Sequence, residues 1–478
     1  MKTKEIFKKL FDSEINFKEL EKSMWTFLLN SFQHYMVEIL EEFDEILKEN
    51  RDRSRYQIKE KNPRTIQTMV GEVSFTRRYY WDRKKQEYVY LLDRKLDLER
   101  HKTIGPGLLD LAVTWATKGP SYRDARDRLT DLFGFQILSH ESIRSALLDV
   151  AKYVEREQEN EIIKKDGTKK ANALFIEVDG FYAKLQKNKK AGRKNRGKEA
   201  KMAIIHEGWQ PRHNGKKPDY KLLNPIRLGS LKDSEEFWEY VRGVISTKYS
   251  DIDETLIIIN GDGAEWIRKG VEHFGNSIYQ YDRFHVAREL RRALRFDEKA
   301  LKKAQKALRK NNIGKIAIAA TEALVNCEEV KQKEKLEAFI KLLVSDQEYI
   351  IDYRNRLKEQ GYKVPAEWRG LGAAESNVNK YKGRTGKRGR SWSLEGLGAI
   401  LTNLNSLFDG TLQHNVSRVL NEKEEWILDK VTGGVGFVTV KATPSKFTGA
   451  KPGSFPATQR GTQGYSKLFN AIHAVDSI

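Results

Sequence analysis

Two stretches set the fold: ALFIEVDG at 173–180 and ETLIIINGDGA at 254–264. Each is a short run of Ile, Leu, Val and Phe that closes on Asp-Gly. Apolar runs of this length, bounded by turn residues, read as strands buried on both faces. Between them, KMAIIHEGW (201–209) and YKLLNPIRLGSL (220–231) read as two more strands, and DSEEFWEYVRGVISTKY (233–249) as an amphipathic helix. AEWIRKGVEHF continues as helix, and SIYQYDRFHV (277–286) as a further strand. The order is β-β-β-α-β-α-β. Three initial strands suit a meander and the later ones alternate with helices, so a mixed five-stranded sheet with crossover helices is expected.

Asp179 and Asp262 close the first and fourth strands. Brought side by side, two carboxylates repel unless a cation lies between them. Hard divalent ions prefer such oxygens. Two ordinary turn aspartates are the competing explanation, since Asp-Gly is a common turn.

Upstream, FKELEKSMWTFLLNSFQHYMVEILEEFDEILKEN has apolar residues at helical spacing. Met24, Phe27, Leu28, Phe32, Met36 and Leu40 form a stripe suited to a core-facing or dimerising helix. RDRSRYQIKEKNPR reads as a basic linker. TIQTMVGEVSFTRRYY, broken at Gly71, and QEYVYLL read as a small antiparallel unit. Its Arg77, Arg78, Tyr79, Tyr80 and Trp81 have the chemistry to stack on bases and pair with phosphates, or simply to pack as paired strands. GLLDLAVTWATKG and SYRDARDRLTDLFG read as helices, the latter closed by Gly134. Ser139 then caps HESIRSALLDVAKYV. This is a helix-turn-helix pattern, and its second helix would offer His140, Glu141, Arg144 and Ser145 to a major groove. The charged stretch 156–172 reads as the best boundary.

The chain has 478 residues, so about three domains are expected. It carries 87 Lys and Arg against 67 Asp and Glu, a formal charge of +20, which calls for a polyanionic partner such as nucleic acid. A single cysteine, Cys327, excludes a disulfide framework and a cysteine-based zinc site. No apolar run is long enough to span a membrane, and MKTKEIFKKLFDSEINFKEL lacks the pattern of a signal peptide. A cytoplasmic, nucleoid-associated protein is expected.

The runs FIEVDG, AIIHEGW, IIINGDGAEWI, QYDRFHV, GLGAAESNVNK and RGRSWSLEG, in this order and spacing, resemble the bacterial insertion-sequence transposases of the ISLre type, which are relatives of Mutator-like DDE transposases. The likeness runs from the N-terminal helix to about residue 410 and includes TMVGEVSFTRRYY and SYRDARDRLTDLFGFQILSHESI. It implies an RNase H-like core and a catalytic Asp-Asp-Glu triad, which falls on Asp179, Asp262 and Glu375. Two Mg²⁺ or Mn²⁺ ions, about 4 Å apart, would hold the attacking and leaving oxygens of a phosphoryl displacement. Asp179 would bridge them. Glu177, two residues before Asp179 and on the same strand face, is an alternative ligand, and Glu367 a competitor of Glu375. Asp282 and His285 match a D-x-x-H element of Mutator-like enzymes and are auxiliary candidates; a capped strand end with an Asp–His hydrogen bond is the plainer explanation. Trp266 is either a base-stacking or a core residue.

The implied organisation is an N-terminal helical region (1–60), a small β unit (61–100), a helix-turn-helix-like DNA-binding domain (101–160), a first part of the catalytic core (170–286), an all-helical insertion (287–365), a last core part carrying Glu375 (366–430) and a tail (431–478). The partners would be double-stranded DNA, both element ends and target, and further copies of the chain in a homodimer or larger assembly. Two basic tracts fit that role. KLQKNKKAGRKNRGKEAK (184–201), with nine Lys and Arg, offers Lys189, Lys190, Arg193 and Lys194. NKYKGRTGKRGRSW (379–392), with six, offers Arg384, Lys387, Arg388 and Arg390. The latter does not fit the phosphate-loop spacing, so no nucleotide cofactor is expected. A nuclease or resolvase on the same scaffold, and a helix-turn-helix regulator, are the rival functions.

Overall fold

The computed structural model describes residues 16–98, 103–165, 167–186, 197–212, 219–386 and 389–420. These belong to a unit spanning Met1–Glu422. A second unit, Lys423–Ile478, lies outside the described residues, and with it the expected tail at 431–478.

The chain opens with α1 (Phe17–Asn50), started by a reciprocal capping box between Asn16 and Glu19. A three-stranded antiparallel sheet follows, made of β1 (Tyr56–Thr68), β2 (Gly71–Asp82) and β3 (Glu87–Tyr90). The expected linker at 51–64 is therefore largely strand: its Tyr56, Ile58 and Arg64 pair with or pack against β2. The expected hairpin break is present, with Gly71 at φ +114. After α2 (Leu91–Lys95) come α3 (Pro106–Lys118), α4 (Tyr122–Phe133) and α5 (His140–Lys164). Gly134 closes α4 at φ +79, and the Ser139 hydroxyl accepts from Ser142 N to start α5, as the sequence implies. Helix α5 runs to Lys164, so most of the charged stretch placed at a boundary is solvated helix.

The larger sheet contains β4 (Ala173–Lys184), β5 (Gly197–His206), β8 (Ile226–Ser230), β9 (Leu256–Gly261) and β10 (Ser277–Tyr281). A two-stranded ribbon of β6 (Trp209–Arg212) and β7 (Asp219–Leu222) splits the expected third strand from β8. The order across the sheet is β10-β9-β4-β5-β8. Strands β10, β9 and β4 are mutually parallel, and β5 is antiparallel to both β4 and β8. Helix α6 (Ser234–Ser246) links β8 to β9, and the short α7 (Glu265–Arg268) leads towards β10.

Six helices follow: α8 (Arg283–Leu294), α9 (Glu298–Arg309), α10 (Ile313–Val325), α11 (Val330–Ser345), α12 (Gln347–Ile350) and α13 (Tyr353–Glu359). They occupy the span expected for an all-helical insertion. The last helices are α14 (Ala373–Thr385), α15 (Leu394–Phe408) and α16 (Leu412–Leu420).

Alternation along β4 separates two cores. Leu174, Ile176 and Val178 face α6, whose Phe237, Trp238 and Val241 are buried, and the same cluster runs into the insertion. Phe181 and Ala183 face the other way, against α3, α4, α5, α14 and α15. The helices of 101–160 thus share a core with the sheet rather than owning one.

Candidate metal centre at the end of the central strands

Strand β4 pairs with β9 only from Ala173 to Glu177, whose partner is Asn260. Beyond that point β9 ends, while β4 continues against β5. Asp179 stands just past this notch, at the carboxyl end of parallel strands where ligands of open α/β sheets bind. It points to the same side as Glu177, towards α14.

Helix α14 has no side-chain cap of its own. Gly372 precedes it at φ +158. The cap comes from Glu177: its Oε2 accepts from Gly372 N and Ala373 N, both at 2.7 Å, and from Ala374 N at 3.4 Å. A carboxylate at a helix N-terminus meets both the unpaired amides and the positive end of the dipole. His206 Nε2 lies 3.3 Å from Glu177 Oε1, and Asn260 donates to Oε2 at 3.4 Å. Glu177 is fully buried and committed to these partners, so it is not an alternative ligand. Its effect is to hold the first turn of α14, and therefore Glu375, over the strand end.

One potential ligand atom each from Asp179, Glu375 and His285 lies within 4.8 Å of the other two. Asp179 is buried; Glu375 is half-buried. Burial pushes the Asp179 carboxyl up to about 6, against the pull of the Gly180 N–H, Lys382 and His285; the Asp262 charge pushes it further up. Gly180 N donates to Asp179 Oδ1 at 2.7 Å. Glu375, Asn379 and Lys382 share one face of α14. Asn379 donates to Glu375 Oε1 at 3.4 Å.

His285 is buried in the first turn of α8, and Arg288 donates to its Nδ1 at 2.9 Å, leaving Nε2 for any other partner. The last stretch expected as strand therefore ends at Tyr281. Asp282 caps α8, accepting from Phe284 N at 2.8 Å, and its N–H donates to Gly261 O at 2.7 Å. Burial raises the Asp282 carboxyl, and the Asn260 side chain opposes that rise. Asp282 thus positions His285 by starting its helix; the ring is held by Arg288 instead of an Asp–His bond.

Asp262 stands apart from the compact group. Its Oδ1 accepts from Ala264 N at 3.1 Å, which turns the side chain into its own turn. It remains close enough for its charge to act on Asp179. Glu367 is exposed and outside the group. Trp266 packs edge-on to Phe237, with Lys201 Nζ 5.3 Å from its ring centroid, so it belongs to the core.

The donor set suits a divalent cation: two carboxylates, one of them short of compensation, and an imidazole that widens the choice from Mg²⁺ towards Mn²⁺. The sequence did not point to Glu177, Asn260 and His206 as the support of Glu375. The one local signal is the missing Ser, Thr, Asp or Asn before Ala373.

The basic positions divide. Lys189, Lys190, Arg193, Lys194, Lys387 and Arg388 lie outside the described residues. Arg384 is a correction. Its side chain is buried, it donates to Ala116 O at 3.2 and 3.0 Å and to Pro120 O at 3.2 Å, and it stacks 4.8 Å from the Trp392 ring centroid. A guanidinium so engaged ties α14 to the end of α3 and has no donor to spare for a phosphate. Arg390 is half-buried and donates to the Gly383 and Arg384 carbonyls. Arg144 lies 3.5 Å from Glu395 of α15, and His140 3.4 Å from Glu141. In the small sheet, Arg78 is buried on Asp44 and Glu45, Arg77 on Asp93, and Tyr80 is fully buried. These residues hold the sheet to α1 and α2 and are closed to bases and phosphates. Among the described residues no helix is long and apolar enough to cross a membrane.

A family model described as "Uncharacterised protein family (UPF0236)" matches residues 10–423. The chain is similar to the "UPF0236 protein in vanSb 3'region" of Streptococcus gallolyticus, 28% identical over 396 residues, covering 81% of this chain and 82% of that protein. It is also similar to UPF0236 proteins of Caldanaerobacter subterraneus subsp. tengcongensis. One is 25% identical over 395 residues, covering 82% and 79% of the two chains. Another is 24% identical over 394 residues, covering 82% and 78%, and its single name joins eleven locus labels.

Proposed function

The chain belongs to the UPF0236 family, and on that premise we propose that it is a DNA transposase of the ISLre type with an RNase H-like core. It would bind the inverted terminal repeats of its element, cut them and join the 3′ ends to target DNA. The observation that carries this reading is the convergence of Asp179 and Glu375, far apart in sequence, with His285 at the end of the central parallel strands.

Other findings support it. In chain order within the sheet, the strands run third, second, first, fourth, fifth, with only the second antiparallel, which is the arrangement expected of an RNase H-like core. One relative's name spans eleven loci of one bacterium, the kind of record a copied element leaves. The charge of +20 favours a polyanion.

Asp179, Glu375 and His285 would hold the first Mg²⁺ or Mn²⁺, and Asp262, on the adjoining strand end, would complete a second position. The bound ions supply Lewis acidity to the phosphoryl oxygens and a lowered pKa to the attacking water or 3′-hydroxyl. The protein supplies placement. Glu177 fixes Glu375, Asp282 and Arg288 fix His285, and Lys382 sets a positive charge beside the reacting phosphate. The helix dipole of α14 is already neutralised by Glu177, so its N-terminus is not a phosphate site.

The test uses the purified full chain, duplex DNA carrying the ends that flank its reading frame, and Mg²⁺. A pre-cut end bearing a 3′-hydroxyl should be joined to a second duplex, and Asp179→Asn should abolish joining while leaving binding intact. Cutting without joining would identify a nuclease or resolvase. Binding with neither step would identify a regulator.

A further inference from the structure

Helix α1 is two-faced, and only one face has a partner. Val37, Leu40, Phe43 and Leu47 pack on the small sheet with Ile66, Val73, Phe75 and Leu92. Asp44 is buried against Arg78, and Trp25 Nε1 donates to Leu132 O at 2.7 Å. These contacts fix the helix's rotation, and they differ from the stripe the sequence suggested. Met24, Leu28 and Met36 of that stripe are exposed instead.

The outward side carries Phe17, Met24, Leu28, Tyr35, Ile39 and Ile46, which are 38% to 73% exposed. Their intervals are 7, 4, 7, 4 and 7 residues. Such steps keep all six on one line along the helix, about 44 Å from end to end. An apolar line of this length, continuous over eight turns of a fixed helix, marks a contact surface rather than scattered exposed residues.

The intervals read the same in both directions, so the stripe matches itself when reversed. Phe17 then meets Ile46, Met24 meets Ile39 and Leu28 meets Tyr35. The charges choose the same direction. Residues 31–50 hold six carboxylates and one lysine, whereas 16–30 hold two glutamates and two lysines. Parallel pairing would lay the acidic halves together. Antiparallel pairing sets each against a neutral half and also opposes the helix dipoles.

We propose that α1 is the chain's self-association surface and pairs antiparallel with α1 of a second copy along this stripe. A helix face about 10 Å wide and about 44 Å long gives roughly 440 Å² per partner, less than the roughly 800 Å² of a standard interface. The association is therefore concentration dependent. This inference stands on α1 alone and does not rest on the transposase reading.

Sedimentation of the full chain over a wide concentration range should show a reversible dimer. The double variant Leu28→Asp/Ile39→Asp should remain monomeric with an unchanged helical circular-dichroism spectrum. A wild-type monomer throughout, or a dimeric double variant, overturns the proposal. Direction is read by oxidation of cysteine variants, with the buried Cys327 left in place. Leu28→Cys mixed with Tyr35→Cys should give a disulfide-linked dimer of one chain of each. Cross-linking of Leu28→Cys to itself, without the mixed product, would overturn the antiparallel arrangement.

Discussion

Glu177 on β4 caps the helix whose first turn bears Glu375. Its carboxylate accepts the Gly372 and Ala373 amides at 2.7 Å each. The candidate ligand is thus placed by a second acid that touches no ion. Glu177→Ala should leave these amides, His206 and Asn260 without an acceptor in a buried site, and lower stability by about 3–5 kcal/mol. Glu177→Gln keeps an acceptor oxygen and should cost clearly less. Chemical unfolding of the two variants checks the order, and equal losses would contradict a capping role.

Asp179 gives the protein a pH signature. Its carboxyl is raised from 3.8 to about 6 in the folded chain. A carboxyl raised on folding favours the fold when protonated, so its stabilising effect is complete below the unfolded value and is lost as pH rises through about 6. Unfolding free energy of the ion-free protein should fall by at most about 3 kcal/mol across that window. Asp179→Asn should remove this contribution. A slope unchanged in the variant would place the titration elsewhere.

Arg384 separates a structural arginine from a DNA-contacting one. Arg384→Ala should destabilise the protein by roughly 3 kcal/mol, because the Ala116 and Pro120 carbonyls lose their buried partner. The salt dependence of DNA binding should not change, since no phosphate contact is lost. A shallower salt slope in a fully folded variant would return Arg384 to the DNA surface.

Glu375 and Glu367 predict opposite outcomes. Glu375→Ala should abolish strand cleavage with DNA binding retained, while Glu367→Ala, at an exposed position, should cut normally. Asp262→Ala should also abolish cleavage. Cleavage surviving in Asp262→Ala would confine the chemistry to the Asp179, Glu375 and His285 group.

The sheet was legible because its strands are buried on both faces: LIIING of β9 has no solvent side, and such runs announce themselves. Caps were equally legible at Gly134 and Ser139, where local chemistry decides. Long-range choices were not. Nothing local distinguishes Arg384, buried on two carbonyls, from an arginine reaching into solvent. Whether Met24 and Leu28 or Val37 and Phe43 face the core depends on a few tens of degrees of helix rotation, set by Asp44–Arg78 and Trp25–Leu132. The candidate acids were found from their strand ends and from the resemblance. The inclusion of His285 and the separation of Asp262 required three dimensions.

The most direct test of the central claim is Mn²⁺ binding to the full chain, followed by the water-proton relaxation of the bound ion. The wild-type protein should bind Mn²⁺, Mg²⁺ should compete for the same position, and Asp179→Asn and Glu375→Gln should each abolish that binding while remaining folded. Binding left intact in both variants, or no binding by the wild-type chain with or without DNA, would contradict a metal centre at this strand end.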